Sequence, residues 1–523
     1  MAYPTNPRED PKDPKISEAN VPPASTGRPS RNLVLCFDGT ANEFNHINTN
    51  VVKLVAMLEK EQPLQQRVYY QTGVGTYTTP GLLGPLSRWI AKTADLGVAL
   101  YLDEHVKDGY KFLQSHWEPH DRICLFGFSR GAYTARALAG MLYTVGLLPR
   151  GMTEQVDFAY SIYKQGHQSA AYKQAFSRTI TIEFIGVWDT VSSVGALYPR
   201  VLPFSANNNI TKTFRHALSL DERRAKFRSN TWHLTPDPSD NPNPPEVGFF
   251  DSLWHLLSDI QAPLTWNQEA LRDREELDKQ QGLFHRPPTD VLEVWFPGSH
   301  SDVGGGNTPD FKDEDRRVAQ NMLSNIPLRW MIKEIIAADT GIIFREEEMS
   351  RYGIDYKSLE DQAHREKAKK ESLLRRESDP VEAIERSEAE IVYDRKSPMY
   401  LDATKDINDE MTRMPLWWLL ELFPFIESEQ DEHNHWIHRP RMNLGRGRAI
   451  PPPPAEDNVN SVRNKDKSGV NITDKPALFH VSAKIRMEDT KCNTRSWRSM
   501  WLARDQRYKP AAWSTHGKPF WVE

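Results

Sequence analysis

The chain has 523 residues, of which 38% are hydrophobic and 26% charged, and its net charge is −5. That length holds one large elaborated domain or two to three ordinary ones, with enough apolar residues for a buried core. The charge balance offers no basic surface for nucleic acid, and no apolar run approaches the roughly 20 residues of a membrane-spanning helix.

Residues 1–31 are rich in Pro, Asp, Lys and Ser and poor in large aliphatics, which predicts a disordered tail without an export signal. The three cysteines, Cys36, Cys124 and Cys492, cannot make a disulfide framework. Cys36 and Cys124 lie in apolar runs, where cysteine behaves as a small hydrophobe. This usage and the lack of a leader predict a cytoplasmic, reducing location.

From Asn32 onwards, strands and helices alternate. "NLVLCF" is a continuous apolar run, as in a strand buried on both faces of a parallel sheet. "DGTANE" follows as a turn, and "NVVKLVAMLE" (Asn50 to Glu59) has helical spacing. "RVYYQTGVGT" reads as a strand and a glycine turn, and "TADLGVALYLDEHVKDGYKFLQSHW" as a helix. "RICLFGF" (Arg122 to Phe128) is a strand, followed by the helix "GAYTARALAGMLYTVGLL". "TITIEFIGVWDTV" and "VLEVWFPGSH" are further strands. The alternation predicts an α/β protein with a mostly parallel sheet, helices on both faces and large polar insertions.

Three stretches read as insertions: residues 203–250, rich in Asn and Pro; the highly charged residues 346–396; and the polar residues 427–475 with Pro451 to Pro454. The charged one is a solvated helix or disorder. The expected division is a tail (1–31), a catalytic core (32–335), a charged and proline-rich insertion or cap (336–475), and a C-terminal segment packing on the core (476–523).

The chemistry centres on "FGFSRGAYTAR" (Phe126 to Arg136), where Ser129 sits in a G-x-S-x-G pattern between an apolar strand and a small-residue helix. That context predicts the sharp strand-to-helix elbow of an α/β-hydrolase, which exposes a serine Oγ. A serine needs a base, and the base an orienting acid. Asp189 ends the next predicted strand and His300 lies just beyond the strand after that, both at the sheet edge where such folds bind ligands. On that strand count, acid and histidine both come one strand earlier than is usual for the fold.

Asp302 competes for the role of acid but better suits a supporting role, fixing the Gly304 to Gly306 loop. His480 in "ALFHVSAKIR" is the reserve base. The oxyanion donors are expected to be the backbone N–H groups of Arg130 and of Gly39 or Thr40. Asp38 braces that loop or forms an Asx-type turn. "FDGT" also invites an aspartate-nucleophile phosphotransferase reading, but Cys36 stands where that nucleophile belongs.

"LVLCFDGTANE", "GFSRGAYTAR", "GVWDTV", "HALSLDERRAKF" and "VWFPGSHSDVGGG" occur in this order. Together they resemble an α/β-hydrolase family, long described as a domain of unknown function, that includes phospholipase effectors of bacterial type VI secretion. "IPLRWMI" and "HVSAKIR" are similar to later elements of it. The resemblance implies a Ser–Asp–His triad that falls on Ser129, Asp189 and His300, and for some members it implies hydrolysis of glycerophospholipid esters.

The expected function is serine ester hydrolysis through an acyl-enzyme, on lipid or phospholipid esters, with no metal or organic cofactor. A soluble carboxylesterase for small esters and a non-catalytic hydrolase-fold scaffold are the alternatives. "HNHWIH" (His433, His435, His438) lacks the flanking pattern of a metal site. "MPLWWLLELFPF" is expected to be a core helix packed on the sheet. Read instead as a lid, with Trp417 and Trp418 at a lipid surface, it would add peripheral membrane contact.

Overall fold

Every residue of the run Asn32–Phe37 (β1) is buried, as its unbroken apolar character predicts. Strands β2 (Gln66–Gln71), β3 (Arg122–Phe128), β4 (Ile182–Trp188), β5 (Thr211–Ser219) and β6 (Asp290–Phe296) follow in the chain. Later come β7 (Phe425–Gln430), β8 (Trp436–Arg441), β9 (Ala449–Ile450), β10 (Leu478–His480), β11 (Trp513–Ser514) and β12 (Phe520–Val522). The computed structural model describes residues 30–39, 48–73, 95–165, 169–191, 210–232, 287–306, 322–375, 394–414, 417–422, 425–430, 436–450, 477–489, 508–514 and 520–522. The expected N-terminal tail falls almost wholly outside them, as does Cys492.

Eight strands form one sheet in the order β12-β10-β6-β5-β4-β3-β1-β2. Every neighbouring pair in it is parallel. The period-2 pleat divides each central strand between two cores. Leu33, Leu35, Phe37, Ile123 and Leu125 face helices α2 (Asp95–His116), α3 (Arg130–Val145) and α4 (Val156–Gln165). Val34, Cys36, Cys124, Phe126 and Phe184 face α1 (Asn50–Met57) and α7 (Asn325–Ala337). Between α4 and α7 lie α5 (Ser169–Phe176) and the short α6 (His300–Gly304). The fold is α/β-hydrolase-like.

β5 corrects the reading of residues 203–250 as an insertion. It is a central strand, hydrogen-bonded between β4 and β6. Its apolar signal is hidden because its buried polar side chains are paired. Arg215 meets Glu334 and Asp290 at 2.5 and 2.7 Å, and His216 meets Glu293 at 2.9 Å. Such charges stay buried only when partnered. With β5 counted, Asp189 follows the strand next to β3, one strand early, whereas His300 follows the third strand beyond β3, its usual place.

The other two insertions contain structure as well. Residues 346–396 hold α8 (Glu346–Arg351) and α9 (Tyr356–Arg375), largely solvated, while 376–393 lie outside the described residues. Further on are α10 (Pro398–Ala403), α11 (Glu410–Arg413) and α12 (Trp417–Glu421). α12 is no core helix on the sheet: Leu419 is exposed, and among its described side chains the buried one is Glu421. Residues 427–475 include the antiparallel pair β7–β8 and strand β9, which pairs with β11. Ile450 joins Leu218, Leu220, Trp295, Phe479 and Ala483 in a third core over the ends of β5 and β6; Ala483 lies on α13 (Val481–Glu488).

The turn from β3 into α3 is tightly constrained. Ser129 has φ 59° and ψ −121°, a conformation that L residues adopt only under strain. A Cβ on Gly127 would come 2.5 Å from the Gly131 carbonyl oxygen, and one on Gly131 2.2 Å from that of Phe37. Both glycines are therefore required for α3 to start against the end of β1. Gly131→Ala is expected to destabilise the protein by about 1–3 kcal/mol or more through this backbone clash. Chemical denaturation of the purified variant would measure it.

Candidate active site

Ser129 sits at the C-terminal end of β3, and its N–H is tied to the Trp188 carbonyl at 3.0 Å. Asp189 follows β4 directly, with φ 42°, and its N–H bonds the Ala217 carbonyl at 2.8 Å. His300 opens α6 beyond β6. These three residues, 171 positions apart at the extremes, meet in one line. His300 Nε2 lies 2.7 Å from Ser129 Oγ, and His300 Nδ1 lies 2.6 Å from Asp189 Oδ2. Asp189 is fully buried, and Ser129 and His300 are each 6% exposed.

α6 holds the imidazole by a capping box. Ser299 is its N-cap and Asp302 its third residue, whose carboxylate accepts from the Ser299 N–H at 2.9 Å. Asp302 also accepts from the Asn408 backbone N–H at 2.9 Å, so it anchors the helix start and makes no contact with the relay. The ring is packed between Phe128 and Phe227, with centroids 4.7 and 4.9 Å away. Glu222 Oε2 accepts from the His300 backbone N–H at 3.3 Å. The same carboxylate holds Arg224 at 2.7 Å, and the Arg224 guanidinium lies 3.6 Å over the Phe227 ring.

The sequence analysis assigned no role to Glu222, Arg224 or Phe227. They lie in "LDERRAKF", which immediately follows the unrecognised strand β5. Arg448 was also missed. It donates from Nη1 to Asp189 Oδ1 at 2.6 Å and from Nη2 to Oδ2 at 2.9 Å. Its only sequence signal is an arginine among glycines in a stretch read as polar insertion.

Burial pushes the Asp189 carboxyl up, but Arg448 and the hydrogen bond from His300 outweigh it and hold it well below the usual carboxylate range. Burial pushes the His300 imidazole below its ordinary value, against the pull of Asp189. Burial raises the Glu222 carboxyl, yet Arg224 brings it down to about 2. Both shifts favour a neutral imidazole beside an ionised carboxylate.

The remaining candidates fall elsewhere. His480 caps α13, bonds Ser482 Oγ at 2.8 Å and stacks on Phe296; it is outside the relay. The Asp38 carboxylate accepts from Tyr70 Oη at 2.9 Å and from the Gly39 N–H at 2.7 Å. Gly39 therefore directs its N–H to Asp38 in this conformation, and Thr40 lies outside the described residues. Arg130, at the first position of α3, places its N–H next to Ser129. Among the described residues, no group of three or more His, Cys, Asp and Glu side chains could hold a metal ion. His433 and His435 are not among those residues. No helix of the described residues is long and apolar enough to cross a membrane.

A parallel sheet with helices on both faces, and a strained serine on the turn out of a central strand, defines an α/β-hydrolase-like protein. Residues 31–334 match the family model of the type VI secretion phospholipase effector Tle1-like catalytic domain. The chain belongs to that family and is a hydrolase. An uncharacterized protein of Saccharomyces cerevisiae is 30% identical over 548 residues, covering 83% of this chain and 79% of the yeast protein. The crystal structure of an uncharacterized protein from Pseudomonas aeruginosa aligns at 18% identity with a TM-score of 0.33. That alignment covers 68% of this chain and 52% of the other, about half its length, and carries no weight in assigning the fold.

The lowered His300 value has a consequence for stability. The unfolded chain takes up a proton at this position before the folded one does, so stability falls as pH drops below about 6.5. His216 and His480 are pushed down by burial as well and act in the same direction. Between about pH 8 and about pH 5 the denaturation midpoint of the wild type should fall relative to that of His300→Gln, a difference that isolates this position from buried carboxyls such as Asp302, raised to about 6, which act in the opposite direction.

Proposed function

We propose that this protein is a serine hydrolase of carboxylic esters, with Ser129 as nucleophile, His300 as general base and acid, and Asp189 as the orienting acid. The observation that carries this reading is the Ser129–His300–Asp189 line, with contacts of 2.7 and 2.6 Å. Ser129 donates its proton to His300 Nε2 as Oγ attacks the ester carbonyl carbon. The imidazolium formed is stabilised by Asp189 through Nδ1–H. His300 then returns the proton to the departing alkoxide, which leaves as the alcohol. Water, losing a proton to His300, cleaves the acyl-enzyme, and the carboxylic acid leaves as Ser129 is restored. The Arg130 N–H is one oxyanion donor. With Gly39 turned to Asp38, Thr40 is the remaining donor from the loop after β1. The chemistry calls for no metal or cofactor.

Lipid esters fit the surface near the site better than small soluble esters do. Met414, Leu419, Leu422, Met442 and Leu444 are 40–59% exposed. They lie on two neighbouring segments joined by Glu421, which accepts from Asn443 Nδ2 at 2.6 Å and the Gly445 N–H at 3.0 Å. Trp417 of the first segment packs on Phe227, which touches His300. An apolar surface that close to the serine suits peripheral contact with lipid. The family's phospholipase effectors support the same substrate class.

The first test is a fluorophosphonate followed by intact mass. One adduct is expected on the wild type, at Ser129, and none on Ser129→Ala, whose ester turnover should fall by at least about 10³-fold. An unreactive, folded wild type would remove the enzyme reading and leave the scaffold alternative. The second test separates lipid from small ester. Leu419→Asp with Leu422→Asp should cut hydrolysis of vesicle phospholipid by about 10-fold while leaving the fluorophosphonate rate unchanged, since only apolar contact area is lost. Equal hydrolysis of vesicles by the variant and the wild type would remove this patch as the lipid contact, and a wild type that hydrolyses a small soluble ester but no vesicle phospholipid would favour the small-ester carboxylesterase.

A further inference from the structure

The proposed acid is held by more than the histidine. Both Asp189 oxygens are gripped by the Arg448 fork, and Oδ1 also accepts from the Ser219 N–H at 2.9 Å. Arg448 is itself buried, 3% exposed, with Nε donating to the Phe227 carbonyl at 3.0 Å and Nη2 to that same oxygen. A buried guanidinium is expensive unless its hydrogen bonds are met, and here a carboxylate and a carbonyl meet them. The two termini of this arrangement matter for the reaction: Phe227 packs on the imidazole and Asp189 bonds it.

Arg448 lies 114 positions beyond the end of the matched catalytic region, 31–334. It is brought back by a segment fixed at several points. Asn443 bonds Glu421, Arg228 and the Arg223 carbonyl. The next residues, Ala449 and Ile450, form β9 against β11, and Ile450 is buried over the ends of β5 and β6. A flexible arginine reaching in from solvent would need none of these anchors.

We infer that Arg448 is a positioning residue, which locks the Asp189 carboxylate in the orientation that His300 requires, so that the site is complete only when the 443–450 segment is docked. This rests on the serine-hydrolase reading above. The fork adds to the Ser219 N–H in fixing the torsion of the carboxylate, so that Oδ2 is the oxygen turned to the imidazole. It also shares the negative charge that would otherwise favour the imidazolium, which keeps His300 neutral to lower pH. The other charged or titratable groups facing this pair are Glu222 and Arg224 from the loop after β5, and His216, whose Nε2 accepts from the Thr190 N–H at 3.0 Å and which pairs with Glu293. None of them contacts the Asp189 carboxylate.

The test is the pH dependence of the second-order rate of fluorophosphonate reaction at Ser129, for the full chain, Arg448→Met and Arg448→Lys. Arg448→Met is expected to react about 10-fold or more slowly, with the acid limb moved up by about one pH unit, because a cation beside the pair is gone. Arg448→Lys keeps the charge and loses the fork, so the rate should fall while the limb stays in place. Thermal melts identify any variant that fails to fold, and Arg448→Lys then decides alone. Wild-type rate and limb in either folded variant would overturn the inference, as would a rate loss in Arg448→Met with an unmoved limb. A wild type that does not react at all would instead overturn the serine-hydrolase reading, so the two failures are distinguishable.

Discussion

The reversal of the backbone at Ser129 is the constraint on which the site depends. A residue at φ 59° costs about 1–3 kcal/mol, and the surrounding packing must hold it there. What holds it is close backbone approach. α3 begins against the Phe37 and Asp38 carbonyls, and that is possible only because Gly131 has no side chain. The Ser129 N–H is fixed by Trp188, so the turn is also tied to β4. The same strand then delivers Asp189, one residue past Trp188. Ser129 and Asp189 are therefore set in mutual register by adjacent parallel strands, independently of the imidazole that lies between them.

His300 arrives differently. It is carried by a five-residue helix that could not persist alone, since a single turn fixes several dihedrals for one hydrogen bond. The capping box, the bond from Asn408 to Asp302 and the Phe128 and Phe227 rings replace that missing cooperativity. The imidazole is thus positioned by contacts from residues far apart in sequence. The serine, in contrast, is positioned by the strand and helix that flank it.

This difference explains which parts were legible in the sequence. Ser129, Asp189 and His300 each follow an apolar strand, and continuous apolar runs are what a doubly covered parallel sheet requires. β1, β3, β4 and β6 were readable for that reason. β5 was not, because Arg215 and His216 interrupt its pattern, and their burial depends on Glu334, Asp290 and Glu293 elsewhere in the chain. No local pattern encodes a partner 119 residues away. The "MPLWWLLELFPF" stretch failed in the opposite sense. Its composition is that of a core helix, yet in α12 Leu419 is exposed and Glu421 is buried, because Asn443, Gly445 and the Ala225 N–H satisfy it.

The same physics places Arg448 where sequence patterning could not find it. A carboxylate with no solvent exposure must be compensated from within the protein. Among the described residues, Asp189 accepts from one backbone donor, Ser219, and from the His300 imidazole, which burial pushes toward its neutral form. The positive charge that contacts this carboxylate comes from Arg448. Charge balance at the centre of the sheet thus links residues 443–450 to the hydrolase core. A segment that composition assigns to the surface is held in the interior by that buried anion together with the Asn443 contacts and the packing of Ile450.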